Sequence, residues 1–449
     1  MTENKIETLI GSGELETIIL AFPDQYTRLM GKRLTASHYL DLGSKASIHA
    51  CDYLLAADLD LNPLPGFKLA SWEEGYGDHI LKPDMSTFRI LPWYEKTAIL
   101  ICDLFHENEE AVAESPRNIL KNQLQALTGL GLTPIMASEL EFYLFKGGYD
   151  QAEENGFSEL EPSTPFRIDY FVAGTNRDED VLREVRSKMS EAGIEIEGSK
   201  GEWERGQHEV NLKACPALEM ADRHVIFKDG VKSIAAKHGK AATFMAKVDE
   251  NLAGSSCHIH LSLVDENNNN AFWDHNLNKP SEIFEHFLAG CLANTGSLSL
   301  FLAPNINSYK RYRAASFAPT SLAWGTDNRT CGFRVVGREH NFRIECRIPG
   351  ADANPYLAFS ALLASGMDGL AQKLALPGEQ IGNAYENKNI RSVSTSLSRA
   401  IACFKEQDFA MKAFGAGVAE HYLKLATLEL EESERVVSNW EKRRYFERA

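Results

Sequence analysis

The chain has 449 residues, which is more than one ordinary hydrophobic core needs and suits two unequal domains or one large domain with a smaller appendage. With 44% hydrophobic and 24% charged residues, its composition is that of a soluble globular protein. Its formal net charge of -16 gives no electrostatic reason to expect a nucleic acid or an anionic membrane as partner.

The first 112 residues predict a small α+β domain. Short strand-like runs of apolar and β-branched residues occur at 17–22, 53–59, 80–82, 88–90 and 98–104. An acidic run at 106–111 ends this domain, because Ser115 and Pro116 then form a helix cap and a first-turn proline. We therefore predict two domains, at 1–112 and 113–449.

The second domain alternates predicted helices and strands. Helical patterns cover 116–130, 222–238, 356–370 and 418–440, a strand is predicted at 242–246, and a polar turn at 267–270. The N-terminus has no basic segment followed by a long apolar run, and the eight cysteines have no CxxC spacing. These features favour a reduced, cytoplasmic enzyme.

Five separated segments place acidic or basic side chains on alternate positions. Side chains two apart on a strand share one face, about 6 to 7 Å apart at a rise of about 3.3 Å per residue. Several strands could therefore direct charged groups into one space. The segments are Glu139 to Glu141, Glu202 with 207–209, His258 to His260, the arginines from Arg311 to Arg334, and Arg343 to Arg347.

Each segment alone also fits ordinary structure. The glutamates could face solvent, a strand histidine is commonly a satisfied core or surface residue, and each arginine could form a surface ion pair. In the functional interpretation, the glutamates suit the hard cations Mg2+ and Mn2+, and one imidazole favours Mn2+. The sequence has no phosphate-binding loop of the GxxxxGK type, so a phosphate site would rest on metals and arginines.

The motifs of the second domain resemble, in chain order, the signatures of the glutamine synthetase superfamily. The matching segments are GQHEVNL at 206–212, KAATFMAK at 240–247, GSSCHIHLSL at 254–263, PNINSYKRY at 304–312, WGTDNRTCGFRV at 324–335 and FRIECRIPGADANPYLAFSALL at 342–363. The resemblance implies an α+β fold, with a small β-grasp-like N-terminal domain before a catalytic domain with a curved antiparallel sheet. It also implies a homo-oligomer of two stacked hexameric rings with sites between subunits.

The resemblance implies a site with two or more metal ions, Mg2+ or Mn2+. The residues that match one metal position are Glu141, Glu202 and Glu209. Those that match the second, which faces the nucleotide phosphates, are Glu139, His258 and Glu345. Glu204 lies two residues from Glu202 and could share its face, so the choice between these two ligands stays open.

The same resemblance assigns the substrate contacts. Arg311 and Arg347, with the backbone of Gly254, match positions that hold the glutamate carboxylates. The residues that match nucleotide or phosphate contacts are His260, Ser262, Arg329, Arg334 and Arg343. Of these groups, the implied catalytic residues are Arg311, Arg329 and Arg347.

The sequence departs from the family pattern where ammonia is handled. In glutamine synthetases the loop after the 304–312 motif carries a glutamate two residues before a proline, and this carboxylate attracts ammonium and accepts its proton. Phe317 occupies that position here, two residues before Pro319. Because a phenyl ring neither accepts a proton nor favours a small hydrated cation, we expect an amine larger than ammonia.

The amine itself is left open by the sequence. The candidate amine-site residues are Phe317, Ser316, Trp72 and Tyr76. Their aromatic members favour an apolar or aromatic amine, whereas Glu73, Glu74 and Asp78 would suit a second cationic group, as in a polyamine. Ordinary packing and a solvated acidic loop explain these residues equally well.

We therefore predict an ATP-dependent glutamate–amine ligase that forms γ-glutamyl phosphate and then a γ-glutamyl amide. One alternative is an authentic glutamine synthetase that uses ammonia with a substitute base. Another is a non-catalytic assembly or regulatory protein of the same fold, although every matched metal and arginine position keeps suitable chemistry. We expect glutamate, ATP and an organic amine as partners, and neither nucleic acid nor membrane.

Overall fold

The computed structural model describes residues 3–43, 48–73 and 75–449. Its strands form two sheets and a short ribbon. The strands of the first sheet are β1 (Thr17–Pro23), β2 (Leu29–Thr35), β3 (Ile48–Cys51), β4 (Asp78–Pro83), β5 (Arg89–Ile90) and β6 (Thr97–Phe105). The second sheet begins with β7 (Thr133–Lys146), β8 (Ile196–Gly201), β9 (Gln207–Leu212), β10 (Cys215–Pro216), β11 (Lys240–Thr243) and β12 (Cys257–Val264). After the ribbon of β13 (Trp273–Asp274) and β14 (Lys279–Pro280), it ends with β15 (Trp324–Thr326), β16 (Phe333–Val336) and β17 (Arg343–Cys346).

The helices of the described residues lie mostly after β6. The first seven are α1 (Glu3–Gly11), α2 (Ala36–Leu42), α3 (Pro116–Thr128), α4 (Gly148–Glu154), α5 (Val172–Thr175), α6 (Glu179–Glu191) and α7 (Ala217–Lys237). The others are α8 (Glu282–Asn294), α9 (Ser299–Leu302), α10 (Pro355–Gln372), α11 (Leu397–Glu406), α12 (Phe409–Phe414), α13 (Ala416–Arg435) and α14 (Asn439–Tyr445).

The first sheet is mixed, with strand order β2-β1-β6-β4-β3 and with β5 paired to β6. β1 and β6 run parallel, whereas the other pairs are antiparallel. β6 has the sequence TAILICDLF and is buried along nearly its whole length, because its apolar and β-branched residues are covered on both faces. The arrangement is consistent with the predicted β-grasp-like fold.

The strand predicted at 53–59 is wrong. Residues Asp52–Leu55 form a short 3-10 helix instead, directly after β3. The chain leaves the sheet there, where the amide of Asp52 donates to the carbonyl of Gly77 and the pairing of β3 with β4 ends. Of the apolar residues that suggested a strand, Leu55 is buried in the hydrophobic core of the first sheet.

The second sheet has the order β15-β16-β17-β12-β7-β9-β8, with β10 and β11 also paired to β7. All its neighbours are antiparallel except β15 and β16. The predicted catalytic fold with a curved antiparallel sheet is confirmed, and the 14-residue β7 runs through its centre. β7 alternates Glu139 and Glu141 with buried Leu140 and Phe142, as its sequence predicts.

The predicted helices at 116–130, 222–238 and 356–370 are confirmed as α3, α7 and α10. The predicted strand at 242–246 is shorter, since β11 ends at Thr243. The predicted C-terminal helix is interrupted after Arg435, where Val436 takes an extended backbone. A new helix, α14, then begins with a capping box between Ser438 and Glu441.

A buried arginine on helix α3 joins the first sheet to helix α7. The Arg117 guanidinium donates to Asp222 on α7 at 3.0 Å and to Asp84 beside β4 at 2.8 Å. It also donates to Asp103 on β6, while Tyr356 on α10 donates to Asp222 at 2.6 Å. Because the three carboxylates share one buried cation, its loss would leave charges without a partner.

We expect Arg117→Met to lower the free energy of unfolding by about 3 to 5 kcal/mol, the usual cost of breaking a buried charge network. The measurement is urea unfolding followed by circular dichroism. The matched control is Lys121→Met, which removes a half-exposed partner of the same Asp103 and should cost about 1 kcal/mol or less. Equal losses for the two variants would contradict the assigned role of Arg117.

None of the helices in the described ranges is long and apolar enough to cross a membrane. The domain boundary near residue 112 stays a prediction.

Candidate active site

The first acidic cluster lies where β7, β8 and β9 run side by side. The register of β7 and β9 sets Glu141 opposite Glu209. Glu202 directly follows β8, and its amide donates to the carbonyl of Gln207, which closes the hairpin into β9. One carboxylate oxygen from each of the three glutamates lies within 4.8 Å of the others. Three distant segments thus meet at one point.

Of the two glutamates left open by the sequence, Glu202 lies in this cluster. Glu204 is buried, but one of its carboxylate oxygens lies 3.6 Å from Nε of Arg167. Its amide donates to the side chain of Gln207 at 3.3 Å. The geometry therefore favours Glu202 as the ligand and gives Glu204 a different partner.

The close packing of this cluster disfavours three negative charges. Burial, reinforced by the charge of Glu202, raises the pKa of Glu141 to about 8. Burial and the charge of Glu139 raise the pKa of Glu209 to about 10. A bound divalent cation would stabilise the ionised carboxylates, and an all-oxygen donor set suits Mg2+ or Mn2+. The residues present fit the predicted metal site.

Two neighbouring side chains fix the orientation of Glu141. The backbone amide of Ser256 donates to it at 2.9 Å, and the Ser256 hydroxyl donates to its other oxygen. The Gln207 side-chain amide donates to it at 3.2 Å and to the Gly254 carbonyl at 3.0 Å. Such contacts hold a ligand carboxylate in place for a metal.

The second cluster lies beside the first, where β7, β12 and β17 meet. Its members are Glu139, His258 and Glu345, and the register sets His258 opposite Glu139. Nδ1 of His258 lies 2.6 Å from a Glu139 oxygen and 3.7 Å from a Glu345 oxygen. Burial and the charge of Arg347 lower the pKa of His258, which favours the neutral imidazole that binds metals.

Positive groups surround the second cluster. Arg334 donates to Glu345 at 2.7 Å, and Arg347 donates to the other oxygen of the same carboxylate. Nε2 of His260 lies 3.1 Å from Glu139, and Nε of Arg343 donates to Nδ1 of His260 at 3.1 Å. The structure thus brings together three of the residues predicted to contact the nucleotide.

Two further predicted nucleotide contacts lie less close to the cluster. Ser262 follows His260 on β12, on the same half-exposed face. Arg329 is exposed in the loop between β15 and β16, and it forms no ion pair with any residue that the structure describes. Arg329 is therefore not brought into the cluster in this conformation, and its role stays a prediction.

The two arginines predicted to hold glutamate are buried. Arg311 donates through one nitrogen to the carbonyls of Arg347 at 3.2 Å and Pro349 at 3.0 Å. Nε of Arg311 and Nε of Arg347 are buried and have no hydrogen-bond partner among the described residues. A carboxylate bound against either guanidinium would give these donors a partner.

Gly254 lies against Arg311 as closely as a glycine allows. A Cβ atom there would stand 2.4 Å from Cγ of Arg311 and 2.8 Å from the carbonyl oxygen of Ala246. Any side chain would therefore displace the arginine.

We expect Gly254→Ala to raise the KM for glutamate at least about tenfold, a loss of roughly 1.4 kcal/mol of binding. Steady-state kinetics with glutamate as the varied substrate would measure the effect. Gly378→Ala is the control, because a Cβ atom there would meet nothing within 4 Å. An unchanged KM in Gly254→Ala would show that Arg311 does not hold glutamate.

Phe317 lies in a loop that contacts the arginines. Its side chain is 56% exposed, and its carbonyl accepts a hydrogen bond from Arg347 at 3.5 Å. The neighbouring Ala318 carbonyl accepts from the Tyr385 hydroxyl at 3.0 Å. Ser316, also exposed, donates to the Arg313 carbonyl at 2.6 Å within the loop. The phenyl ring is thus exposed in a loop whose backbone contacts a predicted catalytic arginine.

The predicted aromatic residues of the N-terminal domain do not join this loop within one chain. Trp72 is 78% exposed and its ring packs edge-on against that of Tyr76, with centroids 4.9 Å apart. Neither ring contacts a residue of the two clusters in the described part of the chain. Glu73 and Asp78 are exposed nearby, and Glu74 lies outside the described residues.

Residues 113–445 match the family of glutamine synthetase catalytic domains. The chain belongs to the glutamine synthetase family. It is 44% identical over 444 residues to the γ-glutamylethanolamide synthetase of Streptomyces coelicolor, which covers 99% of this chain and 95% of that protein. It is 36% identical over 447 residues to the glutamate–isopropylamine ligase of a Pseudomonas species, covering 99% and 97%. The solved structure of GmaS in complex with ADP has a TM-score of 0.84 at 26% identity and covers 99% of this chain and 100% of that one. The predicted enzyme family is confirmed.

The sequence interpretation assigned no role to three residues of this glutamine synthetase family member. Gln207 and Ser256 donate hydrogen bonds to Glu141. Both lie within segments that resemble the family motifs. Lys200 forms an ion pair with Glu202 at 2.5 Å. Its position two residues before Glu202 was the available signal, since side chains at that spacing share a face.

Proposed function

We propose that this chain joins the γ-carboxylate of glutamate to an organic primary amine, with ATP as co-substrate, and releases a γ-glutamyl amide, ADP and phosphate. The identity to a γ-glutamylethanolamide synthetase and to a glutamate–isopropylamine ligase supports this reaction class. The observation that carries the proposal is Phe317, whose ring is exposed and whose backbone carbonyl contacts Arg347, at the position that matches the ammonia-handling glutamate of the family.

The two clusters are proposed to hold Mg2+ or Mn2+. We assign one ion to Glu141, Glu202 and Glu209, and a second to Glu139, His258 and Glu345. When bound, these ions would neutralise charge on the nucleotide phosphates and on the transferring phosphoryl group. His260, Ser262, Arg334 and Arg343 are proposed to face the nucleotide, and the ADP complex of GmaS supports a nucleotide site in this fold.

In the first step, Arg311, Arg347 and the Gly254 backbone orient glutamate. An oxygen of the γ-carboxylate attacks the terminal phosphorus of ATP, the bond from that phosphorus to ADP breaks, and γ-glutamyl phosphate forms. Arg334 and Arg343, together with Arg329 after loop movement, stabilise the charge on the transferring group. The carboxylate thereby gains a good leaving group.

In the second step, the unprotonated amine attacks the γ-carbonyl carbon. The C–N bond forms, the C–O bond to the phosphoryl group breaks, and phosphate leaves with the bonding electron pair. The nitrogen loses one proton as the amide forms, and the departing phosphate takes up this proton directly or through solvent. Phe317 favours an amine with a carbon tail, because its ring offers apolar surface where a carboxylate would attract hydrated ammonium.

We further propose that the amine carries no second positive charge. The loop 313–319 has the sequence RAASFAP, which contains Arg313 and no carboxylate. Arg347 adds a second positive group next to it. At this loop of one chain, the repulsion between like charges would disfavour a diamine or polyamine, whereas ethanolamine and small alkylamines have uncharged tails.

The exposed Trp72, whose ring packs against the half-buried Tyr76, supports the proposal that a neighbouring copy completes each site, as in two stacked hexameric rings. Light scattering should give the mass of an assembly of about twelve chains if the family arrangement holds. The cytoplasmic location stays a prediction.

The test is phosphate release from ATP and glutamate with a panel of amines. The proposal expects activity with ethanolamine or isopropylamine, weak activity with ammonium, and little with putrescine. Robust turnover with ammonium and none with any organic amine would contradict the proposed substrate class. A preference for putrescine would contradict only the proposal that the tail of the amine is uncharged.

A further inference from the structure

Lys200 lies inside the first acidic cluster. It is the cross-strand partner of Glu209 in the pairing of β8 with β9. Its ammonium nitrogen is 2.5 Å from Oε1 of Glu202 and 3.4 Å from a carboxylate oxygen of Asp169. Lys200 therefore contacts one proposed metal ligand and lies beside a second.

Several other groups contact the ammonium group of Lys200. The side chain is only 21% exposed, and the nitrogen lies 4.1 Å from the centroid of the Tyr170 ring, a cation–π distance. It also lies 3.4 Å from the Gly201 carbonyl oxygen. By contrast, Lys213 just beyond β9 is 55% exposed and pairs with Glu195 at the surface. Lys200 therefore belongs to the acidic cluster, whereas Lys213 belongs to the protein surface.

The two clusters differ in the protein cations that accompany them. Glu345 in the second cluster pairs with Arg334 and Arg347. In the first cluster, Lys200 is the one ion-pair partner of the three glutamates among the residues that the structure describes. A metal bound through Oε1 of Glu202 would need the oxygen that the ammonium now contacts.

We propose that Lys200 is a built-in counter-cation that competes with the divalent metal for Glu202 and so sets the metal affinity of the first cluster. The proposal rests on the proposed metal role of Glu141, Glu202 and Glu209. Like charges a few ångströms apart in a partly buried site repel strongly. The ammonium must therefore move from Glu202 when the metal binds. Asp169 and the Tyr170 ring are its other contacts and can keep it in place after that movement.

The experiment measures Mn2+ binding to the purified full-length chain by calorimetry, without substrates. In Lys200→Met, which keeps the length of the side chain and removes its charge, we expect the Kd of one of the two Mn2+ sites to fall at least about tenfold. Lys200→Arg keeps the positive charge and should bind as the parent does. Lys213→Met is the control for loss of a lysine outside the cluster.

Each other outcome overturns the proposal. A Kd in Lys200→Met within about twofold of the parent would show that the ammonium does not compete with the metal. Weaker binding in a folded variant would make Lys200 a support for the site rather than a competitor. If neither the parent nor Lys200→Met binds Mn2+, the metal assignment in the proposed function fails as well. That result differs from the first two, in which Mn2+ binds and only the role of Lys200 is contradicted.

Discussion

Replacing Glu345 by alanine should lower kcat/KM for amide formation at least about 1000-fold while the chain stays folded. Glu345 lies in the second cluster with His258 and Glu139. It also pairs with Arg334 and Arg347. Its loss would remove a proposed metal ligand and leave two arginines without their shared carboxylate, at the place where we propose that phosphoryl transfer develops charge.

The measurement for Glu345→Ala is phosphate release together with Mn2+ binding. Glu339→Ala is a matched control, because Glu339 is an exposed glutamate six residues earlier in the chain and outside both clusters. We expect the control to retain activity. Full activity in a folded Glu345→Ala variant would contradict the catalytic assignment and favour a protein whose function does not depend on the metal site.

Replacing Phe317 by glutamate should raise kcat/KM for ammonium at least about tenfold and lower it for organic amines. The new carboxylate would attract ammonium and accept its proton, which the phenyl ring cannot do. The substitution needs no backbone change, since residue 317 already has a positive φ of 58° with a non-glycine side chain. The exposed position leaves room for a flexible carboxylate.

The test of Phe317→Glu compares ammonium with ethanolamine at saturating glutamate and ATP. Phe317→Gln is the control, because glutamine has nearly the same shape as glutamate and no charge. A gain with both variants would assign the effect to lost apolar surface rather than to the carboxylate. No gain with either folded variant would remove Phe317 from the amine site.

The sequence predicted which residues form the site better than it predicted which of them lie next to each other in the fold. Alternation on β7 correctly placed Glu139 and Glu141 on one face, because the side-chain period of a strand is a local property. The pairing of Glu141 with Glu209 depends on the register between β7 and β9, which are separated by more than fifty residues. No local pattern fixes such a register, so only the family resemblance indicated it.

Other features depended on tertiary structure in the same way. The apolar run at 53–59 suggested a strand, yet Leu55 reaches the core from a 3-10 helix because the chain turns at Asp52. The predicted contact of Trp72 and Tyr76 with the site does not form within one chain. If it forms, it depends on a second copy, which is information that one sequence read alone does not contain.

The most direct test is a competition in which the purified chain receives ATP, glutamate labelled with 18O in its γ-carboxylate, and equal concentrations of ammonium and ethanolamine. Mass spectrometry would measure both amide products and the released phosphate. We predict more γ-glutamylethanolamide than glutamine, and one 18O atom in the phosphate, since the oxygen passes through γ-glutamyl phosphate. An excess of glutamine, or phosphate without the label, would contradict the account.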